Sequence, residues 1–492
     1  MSFTNKKSRK RAWGLLVFML AISGTFFVIA PHKAAAATLE VTTKADNTTD
    51  DAACTLREAI TNVNDQADTY DDCTGVGTYG TNDTIEFNIS GTADFTVSSQ
   101  NGYTIAPTSG LPSLSQSVTI DGYSQPGAQA NAAIAPNPMN GILLIELDGT
   151  SAGNTNGITF EANNLTVKGL VINNFDVSSF DGISVAGNNN RIQGCYIGIE
   201  PDGMTAAAND LGVSNHTGTS DGLLVGGTNP EDRNILSGNY EGASSPNTGH
   251  INWTYQGNYI GVGKDGLTAV PNAQPGGSGA ISIDNDDGHT VGGSVTGAIN
   301  VISGNQSMGI APHNTDNLVV EGNYFGVGYD GVTSVPNGGS GINISDSYNY
   351  KVGGSGAGEG NVIRNNANGG ISITGTSNTG TIEGNSIVGN QSNGIFLFGA
   401  SDTIVGGGSS AQRNHIANND LNVTILGFGA TLSGVAIQGN YIGTDENGNI
   451  NPSYMASQAG IRVVGDVSGI LIGGTASGQG NKIAGNGSYV LQ

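Results

Sequence analysis

The chain has 492 residues, with 17 Lys and Arg against 40 Asp and Glu for a formal net charge of −23, and 79 of its residues are glycine. A surface this acidic repels nucleic acid and anionic membranes, which excludes both as partners for the body of the chain. Only 12% of residues are charged, so small turn-forming and amide residues dominate, as in a backbone that turns every few residues.

Residues 1–37 read as a secretory signal. Lys6, Lys7, Arg9, Lys10 and Arg11 precede an apolar run from Ala12 to Ala30, and Ala35-Ala36-Ala37 supplies small residues for cleavage. The run approaches the roughly 20 residues of a spanning helix, so a retained anchor is the alternative and the one membrane contact expected. Either way the protein is expected to be secreted or held at the cell surface. Six basic residues lie in this leader counting Lys33, which leaves 11 Lys and Arg against the 40 acidic residues.

Residues 38–117 differ in pattern from the rest of the chain. Leu56, Ile60 and Val63 fall on one face of a helix expected from Cys54 through Ala67. A solenoid needs its first apolar coil covered, so this segment is expected to be an N-terminal cap. Export permits disulfides, and Cys54 and Cys73, both ahead of the repeats, are expected to staple the cap. Cys195 lacks a nearby His or cation and reads as an inert buried thiol.

From 118 to 492 the chain repeats. An Asn follows a Gly-Gly pair by eight residues five times: Gly226 to Asn234, Gly292 to Asn300, Gly353 to Asn361, Gly406 to Asn414 and Gly473 to Asn481. The phrase Gly-Ile-x-Ile and its variants start at Gly279, Gly309, Gly341, Gly370 and Gly394, at intervals of 30, 32, 29 and 24 residues. The shortest unit, 370–393, holds three apolar pieces closed by Gly or Asn and no helical period. Three strands per turn predict an all-β chain: a parallel β-helix of eleven or twelve coils, on the order of 55 Å long at about 4.8 Å per coil.

Two coil types alternate. One carries Gly-Gly and Asn; the other carries Gly-Asn-Tyr-Ile-Gly and a longer Asp-Gly loop, as in 257–272 and 322–337. After Asn486, Gly487–Gln492 begins a strand and stops, so either the chain continues elsewhere or a partner covers the last coil.

The resemblance to a known family rests on several phrases. Cys54-Thr55-Leu56-Arg57-Glu58-Ala59-Ile60 resembles the Cys-Ser-Leu-Arg-Glu-Ala-Ile motif that opens a family of exported bacterial right-handed β-helix proteins with the pectate-lyase-like fold. Asp83–Phe87, Val118–Gly127, Ile145–Gly149 and Gly169–Asn173 are similar to further phrases of that family. The resemblance implies a right-handed helix and an extracellular or surface location, and it brings no agreed activity.

Candidate chemistry is sparse. Asn314-Thr315-Asp316 and Asp286-Asp287-Gly288-His289 resemble polygalacturonase elements, but their order is reversed, so polar turns are the expectation. Gly309–Asn314 resembles the Asp-Pro-His-Asp phrase of mannuronan epimerases, with Ala311 and Asn314 in place of both Asp residues; His313 alone reads as a loop residue. Lys and Arg residues are scattered at about one per coil, without the acidic partners that a lyase needs. Arg233 and Arg413 share one repeat position, which suggests a structural contact. Asp202, Asp265, Asp330 and Asp445 recur in the Asp-Gly loops and invite Ca²⁺, yet one Asp per loop is too few for six to eight oxygens, so no cofactor is expected.

The strand after each Asn yields the sharpest column. Ile197, Leu236, Ile260, Ile302, Phe325, Ile363, Ile387, Ile416, Ile442 and Ile483 are always large and apolar, so they face the core. Their neighbours Tyr196, Ile235, Tyr259, Val301, Tyr324, Val362, Ser386, His415, Tyr441 and Lys482 face out. Tyr196, Tyr259, Tyr324 and Tyr441 thus form a candidate sugar-stacking ladder, unless the Asp-Gly loops fold back and bury them. The leading expectation is a non-enzymatic, adhesin-like exported scaffold that contacts an extracellular glycan or envelope component. The alternative is a polysaccharide lyase or glycoside hydrolase, which a cluster of Lys or Arg with two carboxylates on one lateral face would favour.

Overall fold

The computed structural model describes residues 35–134, 137–176, 180–215, 219–245, 251–272, 278–377, 379–456, 458–487 and 489–491. The leader expected over 1–37 lies almost wholly outside them. No helix among the described residues is long and apolar enough to cross a membrane.

Residues 36–492 form one unit. Three sheets run its length, and from Val118 onward each coil contributes one strand to each in the order A, B, C. Sheet A has 14 strands, from Thr38–Val41 to Leu471–Ile472; sheet B has 14, from Phe95–Val97 to Lys482–Ile483; sheet C has 12, from Ile158–Phe160 to Tyr489–Leu491. All ladders are parallel except the hairpin of Phe95–Val97 with Gln100–Ile105. The chain is therefore a right-handed parallel β-helix, the hand that parallel crossovers take.

Register stacks like on like. In sheet C, Ile183, Val213, Ala243, Ile281, Ile310, Ile342, Ile371, Ile395, Val423 and Ile461 pair in succession and all are fully buried. A one-residue slip would turn this whole column outward, so the apolar pattern fixes the register.

The corners are held by amides. At the turn from sheet A to sheet B, Asn234, Asn258, Asn300, Asn323, Asn361, Asn385, Asn414, Asn440 and Asn481 form a continuous ladder, each Nδ2 donating to the next Oδ1 at 2.8 to 3.2 Å. A second ladder lines the turn from B to C and includes Asn209, Asn239, Asn272, Asn305, Asn337, Asn366, Asn390 and Asn419. These side chains satisfy corner amides and carbonyls that no strand reaches. The Gly-Gly pairs make the longer A-to-B corner: Gly226 has φ +86°, and a Cβ there would strike the Gln256 carbonyl.

Leu56–Asp65 is the single α-helix among the described residues, opened by a capping box in which Thr55 N donates to Glu58 Oε2 at 2.9 Å. Leu56, Ile60 and Val63 face the stack and are buried. Cys54 and Cys73 are disulfide-bonded. Segment 38–117 also supplies strands to sheets A and B, so the helix covers a stack that already begins at Thr38.

Candidate functional site

The four tyrosines do point out of sheet B, but two are not accessible. Tyr196 and Tyr259 are each 1% exposed and belong to a second apolar cluster with Met139, Leu143, Val262 and Val335, outside the main core. Tyr324 and Tyr441 are half-buried. An open four-rung ladder is thus corrected to a covered column. The cover is the Asp-Gly loop of the same coil: Gly203, Gly266, Gly331 and Gly448 have φ of 64° to 75°, and a Cβ at each would press on the ring of Tyr196, Tyr259, Tyr324 and Tyr441 respectively. Glycine is required there both for the left-handed turn and for the close approach.

The aspartates of these loops serve their own turns. Asp202, Asp265 and Asp330 each accept two backbone amides on Oδ1 and a threonine hydroxyl on Oδ2, from Thr205, Thr268 and Thr333. Burial works against their charge, but these donors outweigh it and hold the carboxyls below the usual range. Asp445 does the same with Asn447 and Asn449.

Arg233 and Arg413 make the same structural contact. Nε donates to Gly257 O at 3.0 Å in one and to Gly439 O at 2.9 Å in the other, and each guanidinium lies over the next tyrosine, Tyr259 at 5.0 Å or Tyr441 at 4.1 Å. Lys351 departs from the expectation of isolated cations: it pairs with Glu321 at 3.2 Å and Glu359 at 3.1 Å on sheet A. Glu359 also accepts from Gly356 N, so this cluster of one cation and two carboxylates latches the 354–359 turn.

Sheet C carries polar side chains on its outward face. Ser184, Ser214, Ser244 and Ser282 form its outward column and are buried. Beyond Ser282 the face opens into a cleft of about 260 Å³ lined by Ser278, Ser282, Asp284, His313, Asn343 and Ser345. His313 pairs in register with Asp284 on one side and Ser345 on the other. Its Nδ1 lies 3.3 Å from Asp284 Oδ1, and its Nε2 lies 3.7 Å from Asp346 Oδ2. Asp346 is fixed from behind, since its Oδ1 accepts from Thr376 N at 2.8 Å. The imidazole is half exposed and lines the cleft.

The same face continues to an aromatic pair. Thr374 follows Ser345 in the outward column, and Phe398 takes that position on the next coil. Phe396 and Phe398 lie side by side, 6.3 Å between centroids and 15° between planes, and both are half-buried. A cleft of about 190 Å³ lies against Phe396, with Ser340, Ser372 and Asn393 around it. From His313 to Phe398 is three coils, about 14 Å.

Sequence reasoning misses this site. His313 reads as an isolated loop residue because its partners stand 29 residues before it and 33 after it. The signal that could have found it is the coil interval, which places Asp284 one turn below His313. The polygalacturonase-like run behaves as expected of turns: Thr315 and His289 are fully buried, His289 edge-on to Trp253, and Asn314 Nδ2 bonds Asn285 Oδ1. Cys195 is fully buried, and burial pushes its thiol up to about 12.

No family model and no curated protein matches this chain. Among solved structures it is similar to the A-module of a mannuronan C-5 epimerase from Azotobacter vinelandii, at 14% identity over 84% of this chain and 91% of that one, with a TM-score of 0.38. It is similar to the Dettilon tailspike protein at 14% identity over 83% and 62%, TM-score 0.43. A PL6 alginate lyase in complex with a trisaccharide is similar at 11% identity over 80% and 89%, TM-score 0.40. The likeness is one of architecture.

Proposed function

We propose that this protein is an exported carbohydrate-active β-helix that hydrolyses a glycan lying along sheet C. One observation carries the reading: His313 stands between Asp284 and Asp346 in an open hydroxyl- and amide-lined cleft whose face leads to the Phe396–Phe398 pair. Acid–base cleavage of a glycosidic bond needs one group to protonate the leaving oxygen and one to take a proton from water. In this scheme His313 Nε2 protonates the leaving oxygen as the glycosidic bond breaks and takes a proton back from the water that then adds to the anomeric carbon. Asp284 at Nδ1 stabilises the imidazolium, and Asp346, 3.7 Å from Nε2 and so too close for a water between them, supports the positive charge that develops on the sugar. Phe396 and Phe398 offer the apolar platform on which a sugar ring stacks, about three coils from the reacting bond. Tyr324 stays outside the site, and Tyr196 and Tyr259 are too covered to touch a glycan.

Neither cleft is lined by Lys or Arg, while Asp284 and Asp346 line or border the reacting one. A polyuronate would meet repulsion there, and elimination would lack a cation to neutralise the uronate carboxylate, so a neutral glycan fits better than an acidic one. The signal-like leader and the acidic surface support an extracellular setting.

The test is incubation with a panel of neutral and acidic polysaccharides, read as new reducing ends and as unsaturated products. Wild type is expected to release reducing ends from a neutral glycan. His313→Ala should lower the rate at least about 100-fold, and Phe396→Ala should raise KM more than it lowers kcat. Glycan binding without turnover in any condition would return the protein to the exported scaffold expected from sequence.

A further inference from the structure

The chain contains two copies of one arginine–tyrosine corner, and among the described residues only one is closed. In the first copy the segment around Asn137 lies across it, and the Asn137 carbonyl accepts from Arg233 Nη1 at 3.1 Å and from Tyr259 Oη at 2.9 Å. Met139 of the same segment is anchored in the apolar cluster beside Tyr259. In the second copy Arg413 stacks on Tyr441 and bonds Gly439 in the same way, but no described residue accepts from its Nη groups or meets the Tyr441 hydroxyl.

The opening has a cause in the repeat. Asp-Gly loops follow Tyr196, Tyr259, Tyr324 and Tyr441, on every second coil at first. The coil of Ser386 should carry the next, yet it is the 24-residue unit and has none. Ser386 and His415 therefore stand where covered Tyr, Ile and Val stand earlier in the column. The gap is a cleft of about 330 Å³ on sheet B, within the size range of small-ligand sites.

Its charge is unusual for this protein. Arg364 and Arg413 line it, and Lys482 reaches the same Tyr441 ring at 6.0 Å; Glu446 is the one acidic lining residue. Arg364 is held by Ser386 through Nη2 at 2.9 Å, while its Nε is buried without a partner. Two guanidiniums with spare donors favour an ionised oxygen acceptor over the neutral carbonyl found in the closed copy. The lining has no aliphatic side chain, so a peptide strap anchored like Met139 gains nothing here. Hydroxyls and amides from Ser386, Ser410 and Asn385 instead suit a hydroxylated ligand.

We propose that the Arg364–Arg413–Tyr441 cleft on sheet B binds a sugar acid, its carboxylate occupying the place that the Asn137 carbonyl takes in the closed copy. This site lies on a different sheet from His313 and does not depend on the chemistry proposed there. The test is calorimetric titration with glucuronic acid, a galacturonic acid trisaccharide, their neutral counterparts and a glutamate-rich peptide. Binding of either acidic sugar at least about tenfold tighter than its neutral counterpart, weakened by salt, is expected. The monomer arm against the trisaccharide arm distinguishes a free sugar acid from a unit within an acidic glycan. Arg413→Gln should weaken binding at least about tenfold, Ser386→Tyr should block the cleft with Arg413 intact, and Glu446→Gln should tighten binding. His313→Ala should leave it unchanged. Equal affinity for acidic and neutral sugars, preference for the peptide, or indifference to both Arg413→Gln and Ser386→Tyr would overturn the proposal.

Discussion

Asparagine here works as backbone. Asn323 donates Nδ2 to Val291 O and Asn361 Oδ1 while its own Oδ1 accepts from Asn300, so one side chain closes contacts on three coils. Asn323→Ala would leave one N–H of Asn300 Nδ2 buried without its acceptor, the other staying on Tyr255 O, and would remove the bonds to Val291 O and Asn361 Oδ1, at a cost of about 1–3 kcal/mol for the orphaned N–H. A lowered urea midpoint with an unchanged m-value is the expected readout, since the compactness of the two states is not altered. Residue identity at such corners was legible: an Asn recurs at a fixed offset from Gly-Gly in one coil type and inside Gly-Asn-Tyr in the other, with Cys195 the exception. The partner was not, because Asn300 and Asn361 are 23 and 38 residues away.

At the scale of the coil, two loop types decide what is covered and what is open. Long Asp-Gly loops bury Tyr196 and Tyr259, and the segment around Asn137 seals the corner over Arg233. Tyr259→Phe removes one hydrogen bond to Asn137 but keeps the packing, so about 1 kcal/mol of local stability should be lost. Hydrogen exchange of 126–143 should quicken while the sheet amides stay protected; global loss of protection would mean that the strap supports the stack as a whole. Sequence showed that tyrosine alternates along the column and that it faces out of sheet B. It did not show whether the next loop folds back, because that depends on turn geometry at Gly203 and Gly266 and on a segment more than 100 residues upstream.

Residues 36–492 form a stack in which each coil touches its neighbours, so its stability is close to a sum of coil and interface terms. The N-terminal segment is the exception, held by the helix capping box, by Arg57 to Asp46, Ser109 and Gly110, and by the Cys54–Cys73 bond across a sequence separation of 19. Closing a loop of that length stabilises by about 3 kcal/mol in the chain-entropy view. Reduction should therefore expose 54–79 to exchange first, with sheets A to C melting later. Simultaneous loss of all protection would show that this segment nucleates the stack.

Sequence alone determined the repeat, the three strands per coil, the apolar inward columns and the asparagine corners. Those depend on local spacing and on the alternation of side chains along a strand, which every coil restates. Tertiary structure decided the rest: that Tyr259 is covered while the Arg413 corner is open, and that His313 meets Asp284 and Asp346. Groups one coil apart are about 4.8 Å apart in space but some 30 residues apart in the chain, and loops of unequal length set which of them face solvent.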